Sequence, residues 1–351
     1  MKSTLQDEIG SRARDLSDRG VECVLESFRL PASPRLTPPA ALFAGAAAAF
    51  LLARGHGAPS FLLATAGFLL LLLDGRGFSP LDWLGRKESR SVLVVPGTPS
   101  DGERKAGFFC VPAACQLTKD GIFSGGESAR RTLHAAGLLL CAALCVVSAG
   151  TLLLLWPVPP LSTAAAGVAL LAVSVLEAFP RSRTGANRNR AAGWLESLAQ
   201  PAEDGRRPFL LLYSGDPEEV KYFLARHRGD LLRGAGVFLE FSAAAAGPPH
   251  VSVREGPILP VRVDAGLLDR VRSAGEACGI GRVRETALRF KSPGLFAMAR
   301  GFRAVTLFRG EAPPGGETAY TERDAEGWAR RIFSPSPPGS PGERNRPRRD
   351  D

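Results

Sequence analysis

Residues Leu36 to Leu73 read LTPPAALFAGAAAAFLLA, then RGH, then GAPSFLLATAGFLLLLL: two uncharged apolar runs, Leu36 to Ala53 and Gly57 to Leu73, joined only by Arg54, Gly55 and His56. A connection of that length leaves room for nothing but a hairpin tip. The pattern returns later, from Ala135 to Trp156 and from Leu161 to Leu176, around the rigid turn Pro157, Val158, Pro159, Pro160. A hydrocarbon core of about 30 Å takes roughly 17 to 25 apolar residues per helix, and all four runs fall near that window. The first and fourth are Ala-rich and shorter, whereas the second and third are Leu-rich. Small residues such as Gly45 and Ala49, or Ala149 and Gly150, let neighbouring helices approach closely, which favours a bundle. The reading predicts two transmembrane hairpins, one over 36–73 and one over 132–179.

Charge in the flanks sets the expected orientation, because cytoplasmic loops retain Lys and Arg. The N-terminal arm carries Lys2, Arg12, Arg14, Arg19, Arg29 and Arg35, and the central segment carries Arg76, Arg86, Lys87, Arg90, Arg104, Lys105, Lys119, Arg130 and Arg131. Arg181, Arg183, Arg188 and Arg190 follow the fourth run, while the two tips hold only Arg54. Both termini and the intervening segments are therefore expected on the cytoplasmic face of an inner (cytoplasmic) membrane, crossed several times. A soluble reading draws on the 23% of charged residues, ordinary for a globular chain. Against it stand hairpins this short and this one-sided in charge. Lys2 to Glu26 reads as a polar, helix-like stretch rather than a cleavable signal, so targeting falls to the first hairpin. Cys141 and Cys145 lie inside the third run and the remaining cysteines are scattered without zinc-like spacing, which fits a reducing compartment. The net charge of +9 would suit nucleic acid, but its concentration beside the apolar runs makes the lipid bilayer the expected partner and leaves no role for nucleic acid.

Outside the hairpins, short apolar stretches bounded by turn residues predict strands at 91–95, 107–111, 208–213, 236–241, 250–253 and 304–308. Helices are predicted over 187–200, 216–227, 265–277, 294–300 and 321–332. The second of these has a clear start: Asp216 as N-cap, Pro217 at the first position, Glu218 and Glu219 in the first turn. Alternation of this kind implies an α/β fold with a mixed, mainly parallel sheet flanked by helices and interrupted by the hairpins. The layout that follows is an N-terminal cytoplasmic helix (1–35), the first hairpin (36–73), a first part of the α/β domain (74–131), the second hairpin (132–179), the rest of the domain (180–333) and a basic, Pro-rich tail (334–351) with no apolar face, expected to be disordered.

Several motifs carry a resemblance. Gly185, Ala186, Asn187, Arg188 and Asn189 precede a helix; the strand from Phe108 runs into Val111, Pro112, Ala113, Ala114, Cys115 and Gln116. The strand at 210–213 leads into Ser214, Gly215, Asp216, Pro217, Glu218, Glu219, and Ser292, Pro293, Gly294 precede Arg300, Gly301, Phe302, Arg303, Ala304, Val305, Thr306, Leu307. Tyr320, Thr321, Glu322, Arg323 and Asp324 close the series. In element order over Ser91 to Ile332 the chain resembles the M28 family of zinc aminopeptidases, in the membrane-associated bacterial form with helical hairpins inserted in the peptidase domain. The resemblance implies a zinc-exopeptidase-like fold and a two-metal site, but the ligand positions are degenerate. The His and Asp of Ala-His-x-Asp fall at Ala113 and Cys115, the bridging Asp at Arg188, the Asp of Ser/Thr-Asp at Pro293, and the late His is missing from Tyr320–Asp324. Glu218 and Glu219 look like the family's Gly-x-Glu-Glu with one residue inserted, and equally suit the positive end of a helix dipole.

Residue chemistry alone agrees. A zinc site needs three or four His, Cys or carboxylate ligands converging, and His56, His134, His227 and His250 have no carboxylate at ligand spacing along the chain. A guanidinium at Arg188 cannot ligate zinc; it can replace metal charge if it pairs with Glu218, Glu219 or Glu240. Cys110 and Cys115 have no His nearby in sequence and no activating motif, and neither a nucleophile elbow nor a phosphate-binding loop is present. The expectation is a membrane-anchored, catalytically inactive M28 peptidase-like protein without a cofactor, binding a protein or peptide partner in the vestigial cleft. One alternative is an active metallo-aminopeptidase with displaced zinc ligands. Another, in which the hairpins carry transport, meets the absence of charge within the spans.

Overall fold

Ile9 and Leu16 are seven residues apart, on one face of helix α1 (Lys2–Asp18), and both are fully buried. The chain turns at Gly20, whose φ of 75° suits glycine, and enters strand β1 (Val24–Pro31), where alternate residues Phe28 and Leu30 face the core. Residues 1–35 are thus not a helix alone, as the sequence suggests: the helix-like stretch ends at Asp18, and the apolar alternation after it forms an edge strand of the sheet. The computed structural model describes residues 2–31, 36–84, 87–97, 108–115, 124–153, 160–178, 187–188, 198–199, 209–231, 235–240, 249–256, 260–278, 283–288, 292–309, 327–328 and 330–332. The expected basic tail 334–351 and most of the expected helices 187–200 and 321–332 lie outside these residues.

The further strands are β2 (Lys87–Val95), β3 (Phe108–Pro112), β4 (Phe209–Tyr213), β5 (Ala235–Glu240), β6 (Pro249–Glu255), β7 (Arg284–Leu288) and β8 (Arg303–Arg309). They pair in the order β1-β2-β4-β3-β5-β8-β6-β7. The central block β4, β3, β5 and β8 is parallel, with Phe109 opposite both Leu210 and Val237, and Val237 opposite Val305. Antiparallel joints stand at β1/β2, β2/β4 and β8/β6, and β7 adds in parallel to β6. The fold class is therefore α/β with a mixed sheet. β7, sequence RETAL, is an edge strand whose exposed charged residues hide it from a hydrophobic-pattern reading.

Helices cover both faces. α1, helix α7 (Ala265–Ala277), Trp328 and Ile332 pack on one side with Leu93, Val111, Leu210, Val237 and Leu307. On the other side lie helices α6 (Pro217–Arg226) and α8 (Pro293–Met298), whose Val220, Phe223, Leu224 and Ala297 meet Val92, Phe108, Tyr213 and Phe238. Each begins at a side-chain cap: Asp216 accepts from the Glu218 N–H, Asp264 from Leu267 and Ser292 from Leu295.

The four apolar runs form helices α2 (Thr37–Ala53), α3 (Gly57–Gly75), α4 (Ser124–Leu152) and α5 (Pro160–Ala178), packed into one bundle. α4 starts earlier than the expected second hairpin, inside the segment assigned to the α/β domain. Gly57–Gly75 and His134–Leu152 are long and apolar enough to cross a membrane; Thr37–Ala53 and Pro160–Val175 are apolar and shorter. The bundle interior combines leucines, among them Leu42, Leu52, Leu71 and Leu170, with alanines, glycines and a few hydroxyls. A Cβ on Gly67 would stand 2.7 Å from the Ala41 carbonyl oxygen, and one on Gly45 2.7 Å from the Cys141 sulfur. Ser60 bonds Ser148 and donates to the Ala48 carbonyl, both at 2.8 Å, and Ser174 donates to the Pro39 carbonyl. Large apolar side chains cover the outside as well, among them Leu62 at 68% exposure, Leu139 at 70% and Leu161 at 87%.

Connectivity fixes which end of the sheet meets the bundle. A short 3-10 turn, Pro80–Leu84, joins α3 to the start of β2. There Asp82 accepts from the backbone N–H groups of Leu36 and Thr37 and from the Thr37 hydroxyl, capping α2 from across the base. Because β4 runs antiparallel to β2, and β3 and β5 run with β4, the carboxyl ends of the central strands lie on the bundle side.

Candidate functional site

At the carboxyl ends of β3 and β4 the structure gathers most of the positions singled out in sequence. Ala113 is buried, and its N–H donates to the Tyr213 carbonyl at 2.7 Å. Directly after it Ala114 and Cys115 pair with Arg188 and Asn187 in a two-stranded antiparallel ladder. The side-chain contacts of Cys115, Arg188 and Glu240 lie outside the described residues, so the expected pairing of Arg188 with a carboxylate does too.

Beyond Tyr213 the chain turns through Ser214 and Gly215, the latter at φ 101°, into α6. Pro217 fixes the first helical position, which aims Glu219 inward on the face of Val220 and Phe223. Glu219 is completely buried. One of its oxygens accepts the Ser214 N–H at 2.6 Å and the other the Ser214 hydroxyl at 2.5 Å. Arg90 of β2, also buried, places a guanidinium nitrogen 3.9 Å away and bonds Glu88 at 3.1 Å. Burial pushes the Glu219 carboxyl up to about 7, with the nearby Asp216 charge adding to the rise and the Ser214 bonds and Arg90 opposing it. Glu218, 5% exposed, is paired with Lys221 at 3.1 Å, one turn along the same helix. Lys221 in turn stands over the Phe296 ring of α8.

Pro293, the first residue of α8, lies at a second polar centre that sequence reasoning missed. Glu255, at the end of β6, is completely buried and accepts hydroxyl bonds from Ser252, at 2.5 Å, and from Ser292, the cap of α8. Ser252 accepts the Thr306 N–H at 2.9 Å. Burial raises the Glu255 pKa, and the bonds from Ser252, Ser292 and Thr306 oppose the rise. Gly294 packs against the carboxylate so closely that a Cβ there would collide with it. The sequence signal for this knot is slight: an acid ending an apolar strand, followed by a glycine, Gly256, at φ 133°.

The remaining candidates are satisfied locally. His227 bonds Glu26 at 2.9 Å, His250 bonds the Thr286 hydroxyl at 2.8 Å, and His134 lies 3.4 Å from the Leu71 carbonyl and 4.0 Å from Asp74. The fold thus brings two histidines to carboxylates that are distant in sequence, each as a pair rather than a cluster. Cys110 is buried in the central strand, and burial raises its thiol pKa well above the ordinary range, which makes it a poor nucleophile.

The described residues do not fit a two-zinc centre. Ala113 and Pro293 carry no donor, both Glu219 oxygens are taken by Ser214, and Glu218 is engaged by a lysine. Among the described residues no group of three or more His, Cys, Asp or Glu side chains converges as a metal site. What the arrangement does offer is two adjacent buried acids, Glu218 paired with Lys221 and Glu219 held by Ser214 with Arg90 beyond, at the carboxyl edge of an α/β sheet, where such folds commonly bind ligands. Comparison with family models, with curated proteins and with solved structures finds no match for this chain.

Proposed function

We propose that this chain is a membrane-anchored, M28 peptidase-like protein without hydrolytic activity, whose cytoplasmic α/β domain binds a peptide or protein partner at the carboxyl edge of its sheet. The observation that carries the reading is the pairing of Glu218 with Lys221 and of Glu219 with Ser214 and Arg90. In a two-metal hydrolase such carboxylates face metal cations and a metal-bound water. Here fixed ammonium and guanidinium groups stand beside them. Arg90 comes from β2, and Lys221 stands one turn along α6 from Glu218. Anchoring is supported by the bundle's surface: Leu62, Leu69, Leu139, Val146, Val168 and other large apolar side chains stand exposed around helices that also pack closely at glycine and hydroxyl positions. The distribution of Lys and Arg along the chain supports a multi-pass arrangement in the inner membrane with both termini cytoplasmic.

Metal analysis of the full-length protein purified in detergent, paired with an aminopeptidase assay on chromogenic amino-acid amides with and without added zinc, tests this reading. The expected result is substoichiometric zinc and no zinc-dependent hydrolysis. One or two equivalents of tightly held zinc, with turnover abolished by a chelator, would establish the alternative, an active M28-type enzyme with displaced ligands.

A further inference from the structure

The base of the first hairpin presents a surface of mixed character. Arg76, immediately after α3, is exposed, and around it Leu73, Phe78 and Leu84 are 42%, 39% and 78% exposed. Gly77 between Arg76 and Phe78 has φ 84° and lies flat against Phe296 of α8, whose ring occupies the space a Cβ would need. Arg300, two residues past the end of α8, reaches back over this turn. Its guanidinium carbon is 5.2 Å from the centre of the Phe78 ring, and one of its nitrogens donates to the Phe296 carbonyl at 2.9 Å. Partial burial lowers the Arg300 pKa, and the Glu218 charge opposes that. Arg29 and Lys87, at the bundle-side ends of β1 and β2, are exposed on the same end of the domain.

Counting basic residues beside the apolar runs gives no reason to include Arg300, which lies far along the chain from all of them. The fold carries it there. A half-exposed aromatic ring continuous with the outer apolar surface of a bundle sits naturally at a headgroup boundary, and a guanidinium presents a planar fork that matches a phosphate. We propose that Arg76, Phe78 and Arg300 form a contact site for the phosphate of an anionic phospholipid at the base of the first hairpin. Phe78 holds the Arg300 guanidinium by cation–π stacking, and Arg76 supplies the second cation. The inference rests on the membrane-anchored reading. It assigns a lipid charge preference to one surface, through which headgroup chemistry reaches α8 and, by Phe296 and Lys221, the Glu218 side of the candidate site.

The test reconstitutes the full-length protein into vesicles of phosphatidylcholine mixed equally with phosphatidylglycerol, re-extracts it mildly and measures the ratio of the two lipids that co-purify. The expected result is enrichment of phosphatidylglycerol, reduced about fivefold by either R76Q or R300Q, since one juxtamembrane cation contributes about 1 kcal/mol towards an anionic surface. Should R300Q fail to fold, F78L takes its place, expected to lose enrichment while R300K retains part of it. Equal lipid ratios for wild type and R76Q, or displacement of phosphatidylglycerol by inorganic phosphate at modest concentration, would overturn the lipid site. Release of the wild-type protein from vesicles by alkaline carbonate would instead overturn the membrane reading beneath it, so the two failures are distinguishable.

Discussion

Glu219 concentrates most of the charge chemistry in the candidate site into one carboxyl. Its pKa rises from 4.5 to about 7 on folding, so the folded state holds a proton across a window in which the unfolded chain has released it. Stability from this group is fully present below about 4.5 and is lost as pH rises through about 7. The 1.36 kcal/mol per pKa unit puts the loss at about 3 kcal/mol. E219Q imitates the protonated acid: its amide oxygen can accept from the Ser214 N–H and its amino group can donate to the Ser214 hydroxyl. Denaturant unfolding of the detergent-solubilised protein from pH 4 to pH 8 is expected to show stability declining in the wild type and a flatter profile in E219Q. R90L removes a cation that opposes the rise, so its decline extends to higher pH than in the wild type. A wild-type profile flat across this window would show that Glu219 folds already ionised. The sequence makes Glu218 and Glu219 conspicuous, but nothing in it points to Arg90 or Glu255 as their equals. Arg90 is one basic residue among many until the antiparallel pairing of β2 with β4 brings it near Glu219.

At the scale of elements, close approach between α2 and α3 rests on glycine. A Cβ on Gly67 would stand 2.7 Å from a backbone oxygen of Ala41 and 3.3 Å from the Gly45 nitrogen, neither of which can swing aside as a side chain could. G67V must therefore push the helices apart, and overpacking of this kind costs about 1–3 kcal/mol. G57A, at the α3 start, meets only side-chain atoms at 3.4 Å or beyond and is expected to be tolerated. Thermal unfolding in one detergent distinguishes them: G67V lowers the midpoint and G57A does not, and equal midpoints would mean that α2 and α3 do not pack at this glycine. The helices of these hairpins were legible in sequence because each is a long apolar run, and α6 because Asp216 and Pro217 announce its start. β1 and β7 were not. Each is an edge strand with one open side, so neither carries the unbroken apolar run that marks β3 or β4.

The whole molecule puts its candidate site against its bundle. Central strands end toward the bundle, α4 begins a short connection after Cys115, and Gly77 of the hairpin exit touches α8, so the region holding Ala113, Glu218 and Glu219 faces the surface from which the helices emerge. On the membrane-anchored reading proposed above, a partner recognised there would meet the domain at the headgroup level, which suits the juxtamembrane segment of another membrane protein better than a freely diffusing peptide. The anchored reading requires that the hairpin tips and the sheet lie on opposite sides of the bilayer. Single cysteines in an otherwise cysteine-free background, R54C at the first tip and S89C on the exposed face of β2, report that directly. In sealed, right-side-out vesicles a membrane-impermeant maleimide is expected to label R54C at once and S89C only after the vesicles are opened. Immediate labelling of both would place sheet and tip on one side, and the bundle would then have to rest on the bilayer rather than cross it, taking the cytoplasmic assignment of the site with it.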